Sequence, residues 1–334
     1  MRTRPVHRHR LRRLWPRRAL RSPGGAALTK NAPGDRLWNG PSGIVCNGTN
    51  EGTMMFHDCV LRGCPDNGLY AAHGTGAIRV EGGLFQNNLG TNVRLRGHDS
   101  YIKNATVVVD GEDSGWAQRG VHLKAGNLLV VDNVDFQTNL RESPIIWITD
   151  GAEYNYIVNS TITVQSDEPT ATVSVRSSAG KTRIKCTDID HDAGGGPAVK
   201  IKEGKDNGPV FLEHVTVTGE APENGTRGAI YNARDNCEFR DVNVDHSSNE
   251  GRHALINRGA NCLVYQGNYV SPDVPIVDHG DDTWIKDVSA RSRNGRAGLH
   301  LTDDAEDIYV KESDIENGIR DDSADGYSGY NNSL

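Results

Sequence analysis

The chain has 334 residues, 36% hydrophobic and 24% charged, with 38 glycines against 3 methionines, a balance that argues against a helical bundle and favours a turn-rich β protein. The formal charge of −7 hides an asymmetry: residues 1–30 hold nine Arg, one Lys and no acid, so the other 27 bases face 44 acids and the body carries about −17. An acidic body with no recognition motif argues against nucleic acid as a partner, and no run approaches the ~18 apolar residues of a membrane span.

Residues 1–40 open on "MRTRPVHRHRLRRLWPRRAL". A secretory or twin-arginine signal needs an apolar stretch of roughly 7–15 residues, and Pro16, Arg17, Arg18 and Arg21 interrupt every candidate, so no signal peptide is legible. The segment reads as a disordered extension or a mis-started region. "GIVC" at 43–46 then aligns with "GLYA" 25 residues later, as the second strand of a coil whose first strand is missing. A single domain is expected over 41–322, beginning abruptly with that incomplete coil.

From residue 54 one template recurs: an apolar anchor, two polar residues, a small or apolar residue at +3 and usually an apolar one at +5. The anchors are Phe56, Val80, Ile102, Val131, Ile157, Ile184, Leu212, Phe239, Val264, Ile285 and Val310, spaced by 21–29 residues. Asn104, Asn133 and Asn159 share the +2 position and predict a short structural asparagine ladder. After each anchor segment comes a second strand with period-2 alternation, such as "GLYA", "NVRL", "GVHL", "IIWI" and "AVKI". Gly, Asn and Asp cluster between the strands, where turns require them. The fold class is therefore all-β: a right-handed parallel β-helix, or solenoid, of about eleven coils.

Cys237 and Cys262 each lie two residues before an anchor, which places them on adjacent coils as either buried free thiols or a bridged pair. Sequons occur at Asn47, Asn104, Asn159, Asn224 and Asn331. Towards the C-terminus, "DHGDD", "TDDAED" and "RDD" fall on equivalent turns of three successive coils. Stacked carboxylates can supply the oxygens that Ca²⁺ needs, with Asp281, Asp304 and Asp322 as candidate ligands; an acidic surface adapted to salt produces the same runs without a metal. Residues 323–334 read as a disordered polar tail.

The outward residues of the second strands form two columns. Over the five coils from Arg94 to Lys202 they hold six Arg or Lys, one His, one Trp and no acid, which is unexpected in a body this acidic. Such a strip suits a long anionic chain, with Arg94, Arg96, Arg176, Lys200 and Lys202 pairing with carboxylates while Tyr70 and Trp147 stack on sugar faces. A catalytic strip would perform β-elimination, with His122 as base or acid and Lys124 beside it as a carboxylate partner. The bland alternative is a solvated face whose long side chains protect sheet edges. A hydrolase is disfavoured: "RIK" (183–185) and "GDD" (280–282) are similar to fragments of polygalacturonase motifs, but in the wrong order and with no G-H-G between them.

"PDNGLYA", "AIRVEGGLFQNN" and "NVRLRG", within residues 65–97, resemble the first coils of the pectate-lyase-like β-helix proteins of halophilic archaea, and the resemblance extends more weakly to about residue 322. It implies the solenoid fold and an extracellular or cell-surface location, and it transfers no catalytic residue. Two functions follow as expectations: binding and lyase-type cleavage of an acidic, uronate-type polysaccharide, or a non-catalytic surface, adhesion or tail-spike-like rod.

Overall fold

The computed structural model describes residues 40–334 apart from 111–117, 140–142, 150, 166–169, 193, 195, 205–207, 223–227 and 248–250. The Arg-rich segment 1–39 and the sequon at Asn224 lie outside the described residues. Among those described there is no helix, and hence none long and apolar enough to cross a membrane.

The chain winds as a parallel β-solenoid. All eleven anchors are buried, and each pairs in register with the next, from Phe56 against Val80 to Ile285 against Val310. Because the period within a strand is 2, one such register fixes the whole inner face. The second strands stack into a separate twelve-stranded sheet that starts at Ile44–Val45, paired with Leu69–Tyr70. Between the two sheets runs one continuous apolar core.

One bend recurs in every coil, and a second left-handed residue three places before the anchor joins it at Asp99, Leu128, Asn236, Asn261, Asp282 and Asp307. The residue two places after every anchor takes a left-handed conformation, with φ between 48° and 70° from Asp58 and Gly82 through Asn104, Asn133 and Asn159 to Glu312. One such residue turns the chain, splitting the strand in the first five coils and the last and leaving it continuous from Lys181–His191 to Trp284–Ser292, and Asn, Asp and Gly accept it at least cost. The asparagine ladder forms here in part: Asn133 donates to Asn104 Oδ1 at 2.7 Å, whereas Asn159 donates to the Asp132 carboxylate at 2.9 Å.

The C-terminal tail departs from expectation. Tyr327–Tyr330 pairs in parallel with Ile308–Lys311 and adds a further rung, with Gly329 in the anchor register and Asn331 at φ 55° two places later. Asn332 ties it down by donating to Val310 O at 2.9 Å. Polar composition concealed the repeat because glycine fills the anchor position. Cys237 and Cys262 sit on adjacent rungs as buried free thiols.

Late in the solenoid the inner face carries a polar column. Asn232 donates to Asn257 Oδ1 at 2.8 Å, and Asn257 donates to Asp278 Oδ1 at 2.9 Å, all three fully enclosed. Burial pushes the Asp278 carboxyl up to about 6, against hydrogen bonds from Gly280, Asn257 and Thr283 that favour the carboxylate. A carboxyl raised by folding contributes stability that is complete below its unfolded value and is lost as pH rises through about 6. Asp278→Asn keeps the acceptor for Asn257 and removes the buried charge. Thermal melts of both proteins between pH 4 and 8 should therefore show the variant gaining on the wild type as pH rises from about 4 to 6 and levelling off above that, by on the order of 2–3 kcal/mol in all. A pH-independent difference would contradict this assignment.

Candidate functional site: a cationic strip on the second-strand sheet

The outward column runs in register along the twelve-stranded sheet: Tyr70, Arg94, His122, Trp147, Ser174, Lys200 and Tyr231 each lie opposite the next. Aromatic residues recur every third rung, at Tyr70, Trp147 and Tyr231, roughly 14 Å apart at the usual strand spacing. Cations fill the rungs between them, in two groups.

In the first group, the Arg94 guanidinium lies 5.4 Å from the Tyr70 ring and donates through Nε to His122 Nδ1 at 3.0 Å. Arginine Nε can only donate, so His122 Nδ1 is the acceptor and its proton resides on Nε2. Nε2 then donates to Thr149 Oγ1 at 2.7 Å, and the imidazole packs 4.5 Å from the Trp147 ring. Arg119, absent from the sequence-based site, completes this group: its guanidinium lies 4.0 Å from the Trp147 ring centre. Burial, and then Arg94, lower its pKa to about 10.

The second group is Arg176, Lys200 and Lys202. Burial lowers the Lys202 pKa, and the charges of Arg176 and Lys200 lower it further. Lys200 lies 5.7 Å from the Tyr231 ring, and Lys200, Lys202 and Tyr231 line a shallow depression of about 570 Å³ with Ser177 and Glu203. The fully buried Arg234 braces the backbone of this group from within. It donates to Arg176 O at 2.7 Å and Lys202 O at 3.2 Å, and also to Ala179 O and Gly208 O.

Two sequence-based assignments change. His122 is buried and bonded where the sequence suggested an exposed base: it is 2% exposed, both ring nitrogens are engaged, and burial together with Arg94, Arg119 and Lys124 lowers its pKa to about 2. Lys124 leaves the second column, because a bulge between Leu123 and Ala125 places Ala125 opposite Arg96. Gly126 follows at φ 131°, where a Cβ would stand 2.4 Å from Gly97 O, so the chain needs glycine to rejoin the stack. Arg96 itself donates to Ala72 O at 3.0 Å.

The calcium site does not assemble. Asp322 is held by Arg320 at 2.6 Å and His300 at 3.0 Å, while Asp304 faces His279 at 3.6 Å. Among the described residues no three carboxylate, His or Cys side chains converge on a cation position, so Asp281, Asp304 and Asp322 form no joint centre.

Nine cations away from the strip, Lys103, Arg183, Lys185, Arg240, Lys286, Arg291, Arg293, Lys311 and Arg320, have a carboxylate within 4.0 Å, whereas Arg62, Arg79, Lys181, Arg258 and Arg296 have none among the described residues. Among the described residues, Arg94, Arg96, Arg119, Arg176, Lys200 and Lys202 have none. Comparison with family models, curated proteins and solved structures finds no match.

Two measurements check this geometry. The ¹⁵N signals of His122 should report the Nε2–H tautomer unchanged from pH 5 to 9, because the ring stays neutral down to about pH 2; titration near pH 6.5 would refute the hydrogen-bond assignment. Arg234→Leu strands buried carbonyls at about 1–3 kcal/mol each, so it should lower the melting midpoint by several degrees, whereas an unchanged midpoint would deny the brace.

Proposed function

We propose that the protein binds an acidic, uronate-type polysaccharide along this strip, with the chain lying parallel to the solenoid axis. The observation that carries the reading is the set of cations without carboxylate partners in a body with about −17 charge, interleaved with an aromatic residue at every third rung. Sugar carboxylates would meet Arg94, Arg119, Arg176, Lys200 and Lys202, while Tyr70, Trp147 and Tyr231 offer apolar faces to the rings. Distant surface acids do not cancel this attraction, because charges beyond a Debye length of about 8–10 Å are largely screened. The lineage suggested by residues 65–97, the pectate-lyase-like proteins, fits a polymer of this kind at the cell surface.

Binding without cleavage is the form of this reading that the site supports. β-Elimination needs a base with a free lone pair near the sugar C–H, and the His122 lone pair is already committed to Arg94. On immobilised polygalacturonate the wild type should be retained at low salt and released at high salt. Arg94→Ala combined with Lys200→Ala should weaken retention at least tenfold. Absorbance from unsaturated product should stay flat across a panel of uronate polymers, with and without Ca²⁺. Retention that ignores both salt and the double substitution would overturn the binding site, and a rising absorbance would overturn the non-cleaving form.

A further inference from the structure

We infer that Arg94 and Arg119 form a two-guanidinium subsite for the carboxylate of a single uronic acid residue, and that His122 is the positioning residue that sets its geometry. The inference rests on the strip reading above and adds to it a discrete recognition point.

Three observations lead here. First, Arg94 spends its Nε on His122 while its guanidinium lies 5.4 Å from the Tyr70 ring, which leaves Nη hydrogens for a ligand. A guanidinium fixed at Nε presents its outer edge in one orientation, the geometry that bidentate capture of a planar carboxylate requires. Second, Arg119 Nε is buried and has no hydrogen-bond partner, although its guanidinium is tethered over the Trp147 ring at 4.0 Å. Third, each arginine loses solvent, Arg94 further disfavours the charge on Arg119, and no carboxylate of the described residues lies within 4.0 Å of either. Two desolvated cations flanking His122, one bonded to it and the other over the Trp147 ring that packs on it, with an unused donor, are costly until an anion joins them.

His122 belongs to this device because it is neutral. It holds Arg94 by accepting a hydrogen bond without adding a third positive charge, and Thr149 holds the tautomer that makes this possible. Trp147, against both His122 and Arg119, should report occupancy optically.

The test is titration of the full chain with galacturonate and glucuronate, and in parallel with galactose and glucose, followed by tryptophan fluorescence and calorimetry, with Trp147→Phe identifying the source of the optical signal. Both uronates should bind the wild type at least tenfold tighter than the neutral sugars. Arg119→Lys and Arg94→Lys should each lose at least tenfold, while Lys286→Ala on the other sheet changes nothing. His122→Leu should lose as much as Arg94→Lys, and His122→Gln, which restores an acceptor, should recover most of it. Uronates that bind the wild type no better than neutral sugars, or that bind Arg119→Lys equally well, would overturn the subsite. If polygalacturonate is still retained through Arg94 and Lys200 in that case, the strip reading survives the loss of the subsite. If the polymer is not retained, both fall.

Discussion

The structure depends on one repeated backbone event, a left-handed residue two places after each buried anchor. It recurs in every coil that has an anchor, and once more at Asn331 beyond Gly329. One residue in this conformation bends the strand while preserving its register, so each coil closes over the same core positions as its neighbour. In a parallel stack that constancy is decisive, because a one-residue slip would turn the inner face outward. Stability then builds rung on rung through nearest-neighbour contacts, and side chains far apart in sequence become columns on the surface.

The cationic strip is a consequence of that register. Arg94, His122, Trp147 and Lys200 come from coils 25–28 residues apart, or two coils for the last pair, yet they lie in one line on one sheet. The line needs support from beneath, and Arg234 gives it through the carbonyls of Arg176 and Lys202. Arg252 plays a similar internal part elsewhere, donating to Gly196 O at 2.8 Å and Pro222 O at 3.0 Å. Both arginines use backbone oxygens in place of carboxylates. The strip's own cations have no carboxylate within 4.0 Å among the described residues; Arg94 is tied to His122, Arg96 to Ala72 O, and Arg119 lies over Trp147.

The fold was legible because its signal is periodic. Anchors recurring through ten intervals specify strands, spacing and stacking together, and every anchor register appears in the structure. What escaped the pattern was aperiodic or masked by composition. The last rung hides behind a glycine anchor at Gly329. The bulge at Lys124 breaks a column that simple alternation extends. Arg119 falls on the inward parity with Val121 and so looks like part of the core, but it sits at the start of its strand beside Gly120 and reaches the Trp147 ring. Site chemistry was less legible than the fold. A histidine on an outward column reads as exposed and titratable, whereas His122 is sealed by an aromatic on one neighbouring rung and an arginine on the other. The acidic turns near the C-terminus likewise share coil positions, but local Arg and His partners consume Asp304 and Asp322.

On the proposed function, neutral histidine, constrained arginines and interleaved aromatics would hold an anionic chain in one direction. A crystal structure of the protein with a short galacturonate oligomer tests that claim most directly. The oligomer should lie along the solenoid axis over the column from Arg94 to Lys202, with carboxylates on the two cationic groups and a sugar ring against Trp147. An oligomer running across the strands, or seated on the opposite sheet around the exposed Trp284 and Tyr309 pair, would contradict it.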